Sequence, residues 1–148
     1  MVKMRASHST KTSKPSSTDE PDGIQIANSI LLSLPRKECT QVFSSLEFVR
    51  LKLRQVLHEV GETIRSGYFL NDGMASVLTV QPDGKSVEVA LIGKEGFVGL
   101  PVIFGFKTSG LRVVTQADAT AYRIDRDVLL KALPPSALRR RHKRRRRR

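Results

Sequence analysis

The sequence predicts a mainly β fold: a small antiparallel barrel of the jelly-roll type (a double-stranded β-helix, cupin-like), with short helices before it and the start of a helix after it. Three observations predict this class. Between residues 48 and 124 about eight short segments alternate apolar and polar residues. Gly, Asp, Asn and Pro separate these segments at fairly even spacing. The intervals are also too short for the helices that an α/β fold needs between its strands.

The first elements are predicted to be two short helices. Apolar residues recur at helical spacing over Ala27–Leu34, and a second apolar stripe continues to about Ser45. We place Pro35 in the first turn of the second helix, where its missing N–H costs nothing, so that the two helices join at Ser33–Pro35.

From Glu47 onward the apolar period becomes two, which is typical of strands. Asp83-Gly84 lies between two alternating runs and predicts a hairpin. A glycine-rich segment after Gly93 leaves room for one short helix through Phe104. The predicted strands cover residues 48–53, 56–60, 68–70, 74–81, 86–92, 111–116 and 119–124, with a further short segment at Thr63-Ile64.

The last predicted element is a helix that runs from Asp125 to Leu133. Asp125 is a suitable N-cap, and Pro134-Pro135 ends the helix. Residues 1–23 are rich in Ser, Thr, Lys and Pro, so we expect this N-terminal segment to be disordered. The predicted organisation is therefore a disordered segment over 1–23, one folded domain over 24–133 and a basic, Arg-rich tail over 134–148.

The formal charge of +12 belongs mostly to that tail. Nine of the 26 Lys and Arg residues lie within residues 139–148, and the segment that should fold is close to neutral. The net charge is therefore no argument for a nucleic-acid-binding surface on the domain. A single cysteine, the lack of a signal peptide and the lack of a membrane-spanning apolar stretch predict a cytoplasmic protein without disulfides.

The sequence gives no positive sign of an enzyme, a metal site or a cofactor. A metal-dependent barrel enzyme needs several His and carboxylate ligands that converge inside the barrel. Of the three histidines, His8 and His142 lie in the terminal segments, and His58 alone falls in a predicted strand. A lone strand histidine is most often a surface residue or a hydrogen-bonded core residue. We therefore predict no catalytic residues, no metal ligands and no cofactor.

Several stretches, in order and at matching intervals, resemble one family. They are Leu57-His58-Glu59-Val60-Gly61-Glu62, the run from Val87 to Gly96, Gly96-Phe97-Val98-Gly99 and Arg112-Val113-Val114-Thr115-Gln116. Together with the hairpin and the terminal helices they resemble the effector domain of the Crp/Fnr superfamily of bacterial transcription regulators, over about residues 28–133. The resemblance implies a cyclic-nucleotide-binding-type sensor domain, a homodimer built on a long helix, and a small-molecule effector that controls a separate DNA-binding domain.

The resemblance also implies a ligand site, at Gly99, Leu100, Pro101, Ser109, Gly110 and Arg112. In the family a short helix, a glutamate and an arginine bind a cyclic phosphate and its ribose. In this sequence the glutamate position holds Leu100, and the arginine position falls near Ser109 or Gly110. Arg112 comes three positions late, which places it on the opposite face of a strand.

We therefore predict that cyclic AMP binding is absent or weak. In the simplest interpretation, Leu100, Pro101, Val102 and Phe104 pack in the mouth of the barrel. A different, less charged effector and a domain that only transmits a signal or dimerises both remain open.

The basic tail has two interpretations. Its cations would bind DNA or any other polyanion without sequence selectivity, through Arg139, Arg140, Arg141, Lys143, Arg144 and Arg145. Alternatively, the tail is a frameshift product or a degenerated gene end, which we favour. The fifteen residues after Leu133 are too few for the long dimerisation helix and helix-turn-helix that the resemblance implies. We therefore expect a truncated regulator that lacks its DNA-reading domain, and the sequence leaves open whether it still forms the family's homodimer. The alternative function is a stand-alone interaction module with a polyanion-binding tail.

Overall fold

The computed structural model describes residues 25–132, which form two four-stranded antiparallel sheets. Sheet one has the order β1-β8-β3-β6 and contains β1 (Glu47–Leu51), β3 (Ser66–Asp72), β6 (Phe97–Val98) and β8 (Ala119–Asp125). Sheet two has the order β2-β7-β4-β5 and contains β2 (Val56–His58), β4 (Ala75–Val80), β5 (Ser86–Ile92) and β7 (Leu111–Thr115). The predicted jelly-roll class is confirmed.

Within the described residues, four short helices accompany the sheets: α1 (Ser29–Ser33), α2 (Thr40–Ser44), α3 (Leu100–Ile103) and α4 (Arg126–Ala132). The prediction that the second helix begins at Pro35 is wrong. The carbonyl of Pro35 accepts hydrogen bonds from the N–H groups of Glu38 and Cys39, at 3.1 and 3.0 Å, and closes a turn. The three residues after Pro35 are exposed and charged, so the chain gains no burial by becoming helical before it approaches Val42, which is buried.

The predicted cap of the last helix is confirmed. The Oδ1 atom of Asp125 accepts a hydrogen bond from the N–H of Asp127 at 2.8 Å, which satisfies one of the unpaired donors in the first turn of α4. The predicted disordered segment over 1–23 and the basic tail lie outside the described residues.

Two apolar cores lie on the two faces of sheet one. The inner core lies between the sheets and contains Leu51, Leu70, Ala75, Val77, Val98, Val113, Ala119 and Ala121. The outer core lies between sheet one and the helices and contains Leu31, Val42, Ile64, Phe69, Phe97, Val102, Ile103, Tyr122, Ile124 and Leu129. Sheet one is thus covered on both sides, since successive strand residues such as Phe69 and Leu70 enter different cores. Burying each such side chain contributes about 1.5–3 kcal/mol.

The hairpin predicted at Asp83-Gly84 joins β4 to β5. Gly84 has a φ of +85°, and the N–H of Gln81 donates to the carbonyl of Lys85 at 2.7 Å. The register of the hairpin then shifts: Val77 lies opposite Ala90 and Leu78 lies opposite Glu88, so Val89 is an extra, bulged residue. Strand β5 forms one edge of sheet two, and its apolar side chains Val87, Val89 and Leu91 are exposed.

Within residues 25–132, no helix combines the length and the apolar character needed to cross a lipid bilayer.

Candidate functional site at the mouth of the barrel

Gly99 marks the point where β6 passes into α3. Its φ is +130°, a conformation that side-chain-bearing residues rarely adopt. A Cβ built on Gly99 would lie 3.1 Å from the Phe97 ring and 3.2 Å from the Cα of Gly67. The two glycines therefore let the start of α3 lie directly against β3. This close approach explains why position 99, which the family resemblance singled out, requires a glycine.

The short helix α3 is poorly equipped to bind a phosphate. Leu100 is exposed, with 52% of its surface accessible to solvent. Pro101 occupies the first turn and has no N–H to offer an anion. The prediction that Leu100 and Phe104 pack in the barrel mouth is wrong, since Phe104 is 69% exposed. Val102 is buried, but it belongs to the outer core beneath the helices rather than to the space between the sheets.

Ser109 and Gly110 lie in the loop that precedes β7. The carbonyl of Ser109 accepts a hydrogen bond from the N–H of Gly61 at 2.9 Å, and its hydroxyl oxygen accepts one from the N–H of Leu111 at 3.1 Å. Gly110 is exposed, and a Cβ built on it would meet no heavy atom within 4 Å. The position where the resemblance expects an arginine therefore has room for one but holds none.

Arg112 lies on the outer face of sheet two. Its neighbours Leu111 and Val113 pack in or against the inner core, so Arg112 points the other way. Its Nε atom donates to both carboxylate oxygens of Glu59, at 2.9 and 3.0 Å. Hydrogen bonding to Arg112 is the main reason that the pKa of Glu59 lies below its ordinary value. The structure thus brings Arg112 together with Glu59 on a face that points away from the inner core.

His58 is a buried and hydrogen-bonded strand residue, as predicted. Its Nε2 atom lies 2.9 Å from the carbonyl oxygen of Ser66, and its ring lies against Tyr68 with centroids 6.2 Å apart. Burial lowers the pKa of His58 below its ordinary value, because the charged imidazolium loses its hydration, and the hydrogen bond to Ser66 offsets this in part. In residues 25–132, no three His, Cys, Asp or Glu side chains lie together in a group that could hold a metal ion.

Sequence reasoning missed a polar row at the same end of the barrel. Glu47 lies opposite Arg123, Arg123 opposite Tyr68, and Tyr68 opposite Val98, in a continuous line across sheet one. Val98 belongs to the inner core and Tyr68 packs against it, so the whole row lies on the inner face. One signal could have found it, because Arg123 follows Ala119 and Ala121 at the alternating spacing of a strand and therefore shares their face.

The predicted nucleic-acid contacts of the basic tail lie outside the described residues. They are Arg139, Arg140, Arg141, Lys143, Arg144 and Arg145.

Comparison with known proteins gives one family match and many fold matches. Residues 48–134 match the model of the cyclic nucleotide-binding domain family. No curated protein matches the sequence significantly.

Three solved structures illustrate the fold matches. A regulatory subunit of a cAMP-independent protein kinase A from Trypanosoma brucei has a TM-score of 0.67 and 21% identity over 80% of this chain, which spans 45% of that subunit. The N-terminal domain of a transcriptional regulator from Streptomyces coelicolor A3(2) has a TM-score of 0.64 and 17% identity, with 82% of this chain and 91% of that domain covered. The sensor domain of the transcriptional regulator DNR from Pseudomonas aeruginosa has a TM-score of 0.63 and 16% identity, with 74% of this chain and 76% of that domain covered. At these identities the matches show a shared fold.

Proposed function

The chain belongs to the cyclic nucleotide-binding domain family, and from this premise we propose that it is the sensor domain of a Crp/Fnr-type bacterial transcription regulator whose effector is not cyclic AMP. Domains of this family are typically regulatory and non-catalytic. The observation that carries the proposal is the α3 segment: the short helix that the resemblance implies is present, but the positions of the implied glutamate and arginine hold Leu100 and Gly110.

Two findings support the regulator part of the proposal. The ordered sequence stretches from Leu57 to Gln116 resemble the Crp/Fnr effector domain. In addition, the structural neighbours include sensor and N-terminal domains of transcription regulators, and one of them is covered over 91% of its length. In a regulator of this type, effector binding in the barrel would shift the elements that follow the barrel and so reorient the DNA-binding domains.

The side chains around α3 support an effector other than cyclic AMP. A cyclic phosphate in this position would meet Leu100 and Pro101, without a carboxylate for the ribose and with one helix N–H fewer. No cation projects from Gly110, and Arg112 is engaged by Glu59 on the outer face. Removing a phosphate from water without a paired cation costs several kcal/mol. The α3 segment therefore favours a ligand that places no charged group beside it.

A nucleotide panel in a thermal-shift experiment tests this proposal. We expect cyclic AMP and cyclic GMP at millimolar concentration to leave the Tm of the protein unchanged. A clear rise in Tm with either nucleotide would contradict the proposal, since a ligand at 100 times its Kd stabilises a protein by about 2.7 kcal/mol.

A gain-of-function variant makes the same test sharper. Leu100→Glu combined with Gly110→Arg restores the two charged groups at positions that are exposed and open, so both substitutions should be tolerated. We expect the double variant to acquire a cyclic AMP-dependent rise in Tm of several degrees, and each single variant to gain much less. If the double variant folds but its Tm does not rise with cyclic AMP, the residues at these two positions are not the reason that the unmodified protein fails to bind this nucleotide.

The Arg-rich tail favours a second candidate function, an interaction module that binds polyanions through residues 139–148. A gel-shift salt series separates the two candidates. Binding that ignores DNA sequence, disappears by about 200 mM salt and is lost when the tail arginines are replaced by Gln would support the second candidate. Sequence-selective binding that survives this salt concentration would contradict a purely electrostatic tail.

A further inference from the structure

The row of Glu47, Arg123, Tyr68 and Val98 lies near one end of sheet one, on the face that carries the inner core. Adjacent strands are about 4.8 Å apart, so the row spans roughly 14 Å of the inner face and ends beside Gly99, where α3 begins. Arg123 is therefore a cation on the inner face of β8. The α3 segment itself contains no cationic side chain.

The structure shows that Arg123 binds a carboxylate. Its Nη2 atom donates to the Oε2 atom of Glu47 at 2.6 Å, and Tyr68 is its partner across the strand pair on the other side. The guanidinium is planar and pairs well with the two oxygens of a carboxylate. The Glu47 side chain is 61% exposed, while that of Arg123 is 39% exposed, so a competing carboxylate from solvent can reach the pair and replace the glutamate.

Tyr68 supplies a ring surface beside this cation. The ring is half-buried and is supported from behind by His58, whose own imidazole is held by the carbonyl of Ser66. A ring already restrained by such a neighbour loses little entropy when a second ring packs on it, and an aromatic pair contributes about 0.5–1.5 kcal/mol beyond area burial.

We propose that the barrel mouth binds a small ring compound that carries a carboxylate, with the carboxylate on Arg123 in place of Glu47 and the ring on Tyr68. The inference rests on the proposed function, because it names the chemical class of the effector that the sensor domain would take. A carboxylate fits better than a phosphate monoester, since the guanidinium already faces Glu47, and that neighbouring carboxylate would repel a doubly charged group more strongly than a singly charged one.

Titration of the ¹⁵N-labelled full chain with benzoate, followed by NMR, tests the proposal. Benzoate should shift the Arg123 Nε–H signal and the amide signals of Tyr68 and its neighbours in a saturable manner. Benzamide has the same ring without the charge and should bind at least about ten times more weakly. Equal effects of benzoate and benzamide would overturn the role of the carboxylate.

Three variants locate the site. Arg123→Gln should weaken benzoate binding at least tenfold, and Glu47→Gln should strengthen it about threefold or more, because the competing carboxylate is gone. If Arg123→Gln folds poorly, the expected increase in benzoate affinity of Glu47→Gln still tests the proposal. Arg50→Gln is the matched control: Arg50 lies on the opposite face of β1, over the Phe48 ring, and its replacement should leave the affinity unchanged.

The outcomes separate this inference from the proposed function. If benzoate binds equally well to Arg123→Gln, or if its largest shifts surround Arg112 and Glu59, the inference is wrong. If benzoate has no effect while cyclic AMP also leaves the Tm unchanged, the ligand class fails and the sensor proposal stands. A cyclic AMP response of the unmodified chain would instead contradict the proposed function directly.

Discussion

Asn28 and Gly96 are joined across 68 residues by a hydrogen bond of 2.9 Å from the side-chain Nδ2 of Asn28 to the carbonyl oxygen of Gly96. The same Nδ2 atom donates to the carbonyl of Leu70 at 2.8 Å. The Oδ1 atom accepts from the N–H groups of Ile30 and Leu31, at 3.0 and 3.2 Å, and caps α1. One fully buried side chain therefore fixes the first helix to β3 and to the segment that leads into the candidate site.

Replacing Asn28 should destabilise the domain strongly. We expect Asn28→Ala to lower the free energy of unfolding by about 2–4 kcal/mol, because the cap is lost and two buried carbonyls lose a donor. Asn28→Asp keeps the cap but cannot donate, so it should cost at least as much. Urea denaturation measures both changes, with Ser44→Ala on the exposed surface of α2 as the control, for which a change below about 0.5 kcal/mol is expected. Equal effects of the three variants would show that the Asn28 contacts contribute little.

Replacing three glycines near the site by alanine should lower the stability of the domain by different amounts, most at Gly99 and least at Gly110. Gly99→Ala adds a Cβ that contacts the Phe97 ring and Gly67 in a strained conformation, so we expect a loss of about 2–3 kcal/mol. Gly105→Ala meets no neighbour but has a φ of +90°, so it should cost about 1 kcal/mol. Gly110→Ala, with open space and no left-handed φ, should be neutral. Thermal unfolding of the three variants checks the order, and a Gly110 variant as unstable as the Gly99 variant would contradict this interpretation of the loop.

The stability of the domain should fall in mild acid partly because of His58. Burial lowers the pKa of His58 in the folded state, whereas the unfolded chain returns toward the ordinary value of 6.5. Below that value the unfolded state binds more protons than the folded state, so stability falls as the pH drops through 6.5 and levels off below the folded pKa. His58→Gln keeps a donor for the carbonyl of Ser66 and should flatten this part of the profile. Urea unfolding from pH 5 to pH 8 measures the difference, and parallel profiles for the two proteins would refute the assignment.

Removing Arg112 should change the titration of Glu59 more than it changes stability. The hydrogen bond from Arg112 is the main cause of the low pKa of Glu59, so Arg112→Gln should raise that pKa toward its ordinary value. The pair lies on the outer face with both side chains about a third exposed, and such pairs contribute little to stability. Carbonyl-detected NMR of the Glu59 side chain measures the pKa, and Arg126→Gln is the control. A Glu59 pKa that does not move in Arg112→Gln would show that Arg112 does not lower it.

Local patterns in the sequence were enough to predict most of the fold. Asp83-Gly84 predicted the hairpin because a left-handed φ is needed at Gly84, and Asp125 predicted the start of the last helix because its carboxylate caps Asp127. The prediction of a helix start at Pro35 was wrong because a proline in the first turn of a helix and a proline in a tight turn look alike in the local sequence. Strand β6 has two residues, Phe97–Val98, which is too short for any alternation to register.

The candidate site was only partly predictable for a different reason. Gly99, Leu100 and Pro101 are consecutive, and a family resemblance along the chain could locate them. The row of Glu47, Tyr68 and Arg123 comes from three distant strands, and only their pairing brings it together. Such a site depends on strand order and register, which are set by packing between distant segments rather than by any local pattern.

The bulge at Val89 has a consequence for the behaviour of the protein in a crowded solution. Among residues 25–132, no strand pairs with the outer edge of β5, and three of its apolar side chains are more than half exposed, a combination that favours the addition of strands from other molecules. The extra residue interrupts the even spacing of the backbone groups and increases the local twist, so an incoming strand cannot keep its hydrogen bonds in step past this point. A single irregularity in the hairpin is therefore expected to oppose the growth of a longer sheet from this edge.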